Sequence, residues 1–194
     1  MKLLLTFILL TGVTFGQDLT RKEVIMHIAQ THPVVFTGIN LKGLHLEQFY
    51  FGEGSLQRTN FTKTDLRGAD FTGADLQGAN FEGAYLHEAI FKDAKMQNAQ
   101  LWRAHLEGAN LVRTDLHDAQ LWKANLSNAN LQGANLTDAN FINADLSNAN
   151  LLGANLDNTN LQGANLEGAK YDKGILEAKR LDRAINYDAE KIIK

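Results

Sequence analysis

The stretch ANLSNANLQGANLTDANF, residues 124–141, restates one phrase every five residues. Five matches neither the helical period of about 3.6 nor the two-residue alternation of a strand. On a helix, five residues advance a side chain by about 140°, so these leucines would scatter around the cylinder without forming a stripe. The abundant Asn, Asp and Gly are also weak helix formers. A continuous strand fails as well, because an odd period sends successive leucines to opposite faces. One geometry remains. In Ala124-Asn125-Leu126 the Ala and Leu lie two apart and point the same way, with Asn125 pointing out. Ser127 and Asn128 are turn formers and carry a corner. Short strand and corner, repeated, wind an all-β solenoid with Ala and Leu facing its axis. The period alone leaves the number of corners per coil open.

The register runs far beyond this stretch. Leu or Phe recurs at Leu41, Leu46, Phe51, Leu56 and Phe61, and onward every five residues to Leu166, with Met96 as the single exception. Ala, or sometimes Thr, stands two positions earlier from Thr59 to Ala164. An internal repeat this long decides the fold ahead of local propensity. The segments ADFTGADLQGANF (residues 69–81) and ANLQGANLTDANF (residues 129–141) resemble the A(D/N)LXX pattern of pentapeptide-repeat proteins, and the resemblance spans roughly residues 36–171. It implies a right-handed quadrilateral β-helix with four pentapeptides in each twenty-residue coil. Leu44, Phe49 and Gly54 depart from the small Ala/Thr position, so the first coils are expected to be wider or irregular.

The chain supports twenty residues per coil from within. The inward Phe residues from Phe51 onward (51, 61, 71, 81, 91 and 141) all have numbers ending in 1, while the alternate core positions are Leu or Met. Four sides per coil would put the phenylalanines on two opposite sides only. Residues 41–170 then make about 6.5 coils, a tower of about 31 Å at about 4.8 Å per coil.

Length, 194 residues, permits one domain with a sizeable core. A formal net charge of -3 suggests no nucleic-acid or anionic-membrane partner. The absence of cysteine removes disulfides, thiolate metal sites and a cysteine nucleophile. Residues 1–16, within MKLLLTFILLTGVTFGQ, read as a Sec-type signal peptide: Lys2, an apolar run over residues 3–13, then Thr14 and Gly16 before the cut. That run is too short to span a bilayer, and no later one is expected to do so in the mature chain. The expected location is periplasmic or extracellular, or the thylakoid lumen if the host is photosynthetic.

Both ends of the repeat, residues 34–172, are expected to be capped. Over 17–33, Thr20 and Glu23 form a capping box, and Val24, Ile25 and Ile28 give an apolar face for an N-terminal capping helix. Over 173–194, Leu181, Ala184, Ile185 and Ile192 recur at helical spacing, a C-terminal capping helix. Its six Lys/Arg against four Asp/Glu face residues 124–169, which hold four acids and no base. Such a helix shields the last coil or joins two copies, so the chain is expected to be a monomer or a homodimer through this helix.

A core of stacked Leu, Phe and Ala leaves no room for a ligand, which puts any function on the outside. Asp65, Asp70 and Asp75 lie on adjacent sides and diverge, which argues against paired acid–base work. His87, His105 and Glu107 fall on neighbouring coils of one side, but read as solvated surface groups, with no metal site expected. No catalytic residue or cofactor is expected either. Asn-Xaa-Ser/Thr matches at Asn60, Asn125 and Asn135 come free with the repeat. The column Asn40, Asn60, Asn80, Gln100, Gln120, Asn140 and Asn160 reads as an amide ladder. One local oddity remains: Trp102 and Trp122 are twenty apart, as are Arg103 and Lys123, which stacks them into a candidate interaction surface.

The expected function is that of an exported, non-enzymatic scaffold or protein–protein interaction module whose partner the sequence does not name. The alternative implied by the resemblance is DNA-mimic protection of a type II topoisomerase (gyrase). Over residues 33–172, sixteen acids against ten bases leave about six net negative charges, thinly spread, and an export signal would separate the chain from that target. Enzymes on left-handed β-helices use a six-residue repeat, to which this register never shifts.

Overall fold

The structure, a computed structural model, describes residues 19–28 and 33–172. Twenty-residue coils are its organising feature: parallel bridges join residues twenty apart in unbroken succession, from Val35 with Ser55 to Asn150 with Lys170. Each five-residue unit repeats one set of bonds. Leu126 N donates to Asp145 O at 2.7 Å and Asn128 N to Ser147 O at 2.8 Å, both on the next coil, while Asn125 N donates to Ala104 O at 3.0 Å on the preceding one. Ala129 N donates back to Leu126 O at 3.0 Å and closes the corner.

The corners explain the composition. The third residue of each turn is left-handed, at positions ending in 3 or 8 from Gly38 (φ 70°) to Gly168 (φ 69°). That is the requirement of a type II turn, met without steric cost by Gly and at low cost by Asn and Asp. The outward Asn or Asp of each strand secures the corner that follows. Asn125 Oδ1 accepts from Ser127 N at 3.0 Å, Asp70 Oδ1 from Thr72 N at 2.8 Å, and Asn80 Oδ1 from Glu82 N at 2.9 Å. The ladder reading holds only in part. In the column from Asn40 to Asn160, Asn140 Nδ2 donates to Gln120 Oε1 at 3.2 Å, one rung of the expected ladder. The carboxamide oxygens of Asn40, Asn60, Asn80, Asn140 and Asn160 accept from the backbone two residues on. The carboxamide oxygen takes the N–H of its own turn and leaves Nδ2 to reach the preceding coil, as Asn140 does here and Asn135 and Asn150 do in other columns.

Inside, Leu126 and Leu136 have no exposed surface, and the Ala positions beside them are equally buried. Phe51 stacks on Phe71 at 4.8 Å, Phe61 on Phe81 at 4.8 Å and Phe71 on Phe91 at 4.9 Å, with nearly parallel rings. Across the axis, Phe51 meets Phe61 edge-on at 6.1 Å. From Phe51 onward the core phenylalanines thus occupy two opposite sides, as their numbering predicts, while Phe36 fills a third side in the first coil, and the ring spacing is the coil rise itself. Each fully buried Leu or Phe contributes roughly 1.5–3 kcal/mol. Because each coil touches only its neighbours, these contributions add along the stack.

The first coil keeps regular pairing despite its departures from the motif. Gly54 is bare because Val34, in the same column one coil earlier, fills the space: a Cβ on Gly54 would lie 2.6 Å from Val34 Cγ2. Leu44 and Phe49 are too large for the small position and stay half-buried. Helix α1, Arg21–Ile28, packs there. Thr20 N donates to Glu23 Oε2 at 2.8 Å and Glu23 N to Thr20 Oγ1 at 3.4 Å, the reciprocal bonds of a capping box. Val24 is fully buried in the common core, Arg21 Nε donates to His45 O at 2.6 Å, and its guanidinium lies over Phe49. Ile25 departs from the expected apolar face and is exposed, because one residue advances a helix by about 100° and turns it away from Val24's contact. Among the described residues no helix is long and apolar enough to cross a membrane. The signal peptide (1–16) and the C-terminal helix (173–194) read from the sequence lie outside the described residues.

Candidate functional site

With the coil fixed at twenty residues, every outward side chain is assigned to one of four sides, and the sides differ in charge. One side carries the core residues Leu41, Phe61, Phe81, Leu101, Leu121, Phe141 and Leu161. Its outward positions hold four bases, Lys42, Lys63, Arg103 and Lys123, against one acid, Glu82. The side that follows each coil's corner, from Leu46 to Leu166, is the reverse. There Glu47, Asp65, Glu88, Glu107, Asp145 and Glu167 face one base, Arg67. A chain that is only mildly acidic overall therefore has a basic side next to an acidic one.

The basic side bears the tryptophans. Trp102 and Trp122 both occupy the second position of their turns, and the coil frame ties them together: Gly83 N donates to Trp102 O at 2.9 Å and Arg103 N to Trp122 O at 3.1 Å. Trp102 is exposed and Trp122 half-buried. Arg103 reaches over the next coil's Trp122 ring, 5.4 Å from its centroid, and Lys123 Nζ lies 4.6 Å from the same centroid. Two cations over one indole ring form a cation–π cluster. Among the described residues neither cation makes an ion pair with a carboxylate. The four residues singled out in the sequence, Trp102, Arg103, Trp122 and Lys123, are thus brought together on one side. Ile142, half-buried, continues the Trp102–Trp122 column one coil on. Ile142, Lys42 and Lys63 escaped the sequence reading. Their spacing, a multiple of twenty from Trp102 and Trp122 or from Arg103 and Lys123, is the available signal.

The acidic side holds a different constellation. His87 Nε2 lies 3.2 Å from Glu107 Oε2, and His105 Nδ1 lies 3.7 Å from Glu107 Oε1. Asn125 Nδ2 donates to Glu107 Oε1 at 2.7 Å. The imidazoles of His87 and His105 lie parallel, 5.8 Å apart, and Tyr85 stacks on His105 at 5.2 Å. Expected from the sequence to be solvated surface groups, His87, His105 and Glu107 pack into one cluster. Farther down the same side, Arg67 donates bidentately to Asp65 at 2.8 and 2.7 Å. That pairing holds the Asp65 carboxyl below the usual carboxylate range, with partial burial opposing it. On another side Arg113 grips Asp93 with two bonds of 2.7 Å and lowers its carboxyl likewise. Asp65, Asp70 and Asp75 sit on three successive sides and do not meet, as expected.

A family model described as pentapeptide repeats matches residues 35–73, 55–93, 94–133 and 134–170. Among solved structures, the chain is similar to HetL, a pentapeptide repeat protein involved in heterocyst differentiation regulation from the cyanobacterium Nostoc sp. strain PCC 7120. The two share 26% identity over 80% of this chain and 81% of that one, with a TM-score of 0.56. It is also similar to QnrB1, a plasmid-mediated fluoroquinolone resistance protein, in a trypsin-treated form, at 20% identity over 79% of this chain and 84% of that one, TM-score 0.57. The second likeness concerns the fold. No curated protein matches the sequence significantly.

Proposed function

This chain belongs to the pentapeptide-repeat family, and from that premise we propose that it is an exported, non-enzymatic scaffold that docks a protein partner on its tryptophan side. The observation that carries this reading is the pair of cations, Arg103 and Lys123, held over Trp122 without a carboxylate of their own. Large aromatics beside arginine are the residue types that dominate binding energy at protein interfaces. The side around them has four bases to one acid, so the complementary partner presents carboxylates around an apolar contact. Because the interior is filled by the Leu, Phe and Ala columns, recognition has only the outer sides to use. The coil is taken as right-handed, as the family resemblance implies, with α1 shielding the first coil. Export rests on Lys2, the apolar run over residues 3–13 and Gly16. Protection of a topoisomerase by DNA mimicry would need an acidic surface and would have to use the neighbouring side instead.

Two experiments separate these elements. N-terminal sequencing of protein recovered from the host should show a start near Gln17; an intact Met1 on the mature protein would remove export. Capture from the host envelope should fail for Trp102→Ser with Trp122→Ser and also for Arg103→Glu with Lys123→Glu, while the melting temperature holds. Capture unchanged in both variants would sink the tryptophan side as the docking surface.

A further inference from the structure

We propose that His87, His105 and Glu107 form a binding site for a divalent transition-metal ion of the zinc class. The coil frame fixes their relation. His87 and Glu107 take the same position in successive coils, with Glu88 N donating to Glu107 O at 3.0 Å; His105 stands two residues before Glu107, and Leu86 N donates to its carbonyl at 2.7 Å. The three groups offer ligand atoms within 4.8 Å of one another; His87 Nε2 lies 3.2 Å from Glu107 Oε2 and His105 Nδ1 3.7 Å from its other oxygen, Oε1. Ligands held about 2.0–2.2 Å from a tetrahedral zinc are about 3.3–3.6 Å apart, so His87 Nε2 and Glu107 Oε2 stand close to a ligand pair's spacing, with His105 near enough to supply the third.

The surroundings fit the same assignment. Asn125 engages Glu107 Oε1 and leaves Oε2 facing His87, shielded from solvent and without a hydrogen-bond partner; His87 Nδ1 is in the same condition. Tyr85 fixes the plane of the His105 ring by stacking on it. These are the outer contacts by which proteins orient metal ligands. Two coils earlier on this side, Glu47 and Asp65 gather around Arg67, whose guanidinium supplies the positive charge at 2.7 Å from Asp65. The residue twenty after Arg67 is His87, so Glu107 has an imidazole where the earlier acids have a fixed cation. A metal ion restores that charge and draws on the net negative side around it. His117 with Asp118 and Asp138 is a weaker candidate, since both its carboxylates are exposed and His117 Nδ1 already bonds Thr137 O.

The test uses the full chain without a histidine tag, stripped of metal and titrated with Zn²⁺ by calorimetry and with Co²⁺ by visible absorption. One ion per chain is expected, with cobalt giving the intense bands of a low-coordinate site. His105→Ala and the isosteric Glu107→Gln should each weaken binding at least about ten-fold, Asn125→Ala by roughly ten-fold, and His117→Ala not at all. All four residues point outward, so the metal-free variants should melt near the parent. A parent that takes up neither ion, or binding untouched by both His105→Ala and Glu107→Gln, would overturn the assignment.

Discussion

The Arg103 guanidinium lies 5.4 Å from the centroid of the Trp122 ring, one coil away, and it does so from a left-handed backbone with φ of 55°. A side chain in that conformation costs about 1–2 kcal/mol, whereas an exposed cation–π contact returns about 0.5–1 kcal/mol. Eleven sister turns meet the same requirement with Gly. Arg103 is therefore not placed for stability. Arg103→Gly should leave urea stability unchanged or raise it by up to about 1 kcal/mol, and Lys63→Gly should raise it by more, since Lys63 is left-handed too and has no indole partner. A loss greater than about 1 kcal/mol in Arg103→Gly would show that the cation–π cluster is structural.

The core makes a harsher demand. Leu126 has no exposed surface, so Leu126→Asp puts an unpaired carboxylate between coils at a cost of several kcal/mol. Ala134 stacks above Thr114, also fully buried, and Ala134→Phe should cost about 1–3 kcal/mol or more through overpacking. Urea melts that superimpose on the parent would place these side chains outside the core.

Most of the tower is legible because its core is written in columns. The phenylalanine numbers reveal both the twenty-residue coil and the two opposite sides, and Gly at 38, 43, 68 and 73 marks the left-handed turn position that Arg103 and Lys123 share. The charge partition follows from the same count once the sides are assigned. What the sequence withholds depends on side-chain reach. Asn125 uses its oxygen on its own turn and its nitrogen on Glu107 of the preceding coil, a division of bonds that the repeat does not announce. His87, His105 and Glu107 become one cluster because their rings stack and Asn125 turns the carboxylate. A repeat fixes where a Cβ sits, but not which of its neighbours the side chain meets.

Buried threonines at the small position add a bond that Ala lacks. Thr114 Oγ1 donates to Phe91 O at 2.7 Å and Thr159 Oγ1 to Leu136 O at 2.8 Å, each reaching back to the preceding coil. Phe91 O also accepts from Ala94 N at 3.0 Å, so losing the hydroxyl does not orphan it. Thr114→Val, matched in shape, should thus cost about 1 kcal/mol rather than the larger penalty of an unsatisfied group. A calorimetric melt indistinguishable from the parent's would make the hydroxyl's bond energetically neutral.

Acid should expose the two guanidinium-held carboxylates. Asp65 is lowered by its hydrogen bonds from Arg67, against partial burial, and Asp93 by those from Arg113. A depressed folded-state value means that each pair's stabilisation is fully present above the unfolded value, about 3.9, and is lost as pH falls through the lower folded value. Urea midpoints should therefore stay level as pH drops from neutrality towards 5 and fall only below about 4. Asp65→Asn should lower the plateau and flatten that acid limb. Asp93 is more open to solvent than Asp65, so the effect of Asp93→Asn should fade at about 1 M salt, while that of Asp65→Asn persists in part. If Asp65→Asn traces the parent's curve at every pH, the Arg67 pair contributes nothing to folding, and its geometry reflects only two side chains sharing one turn.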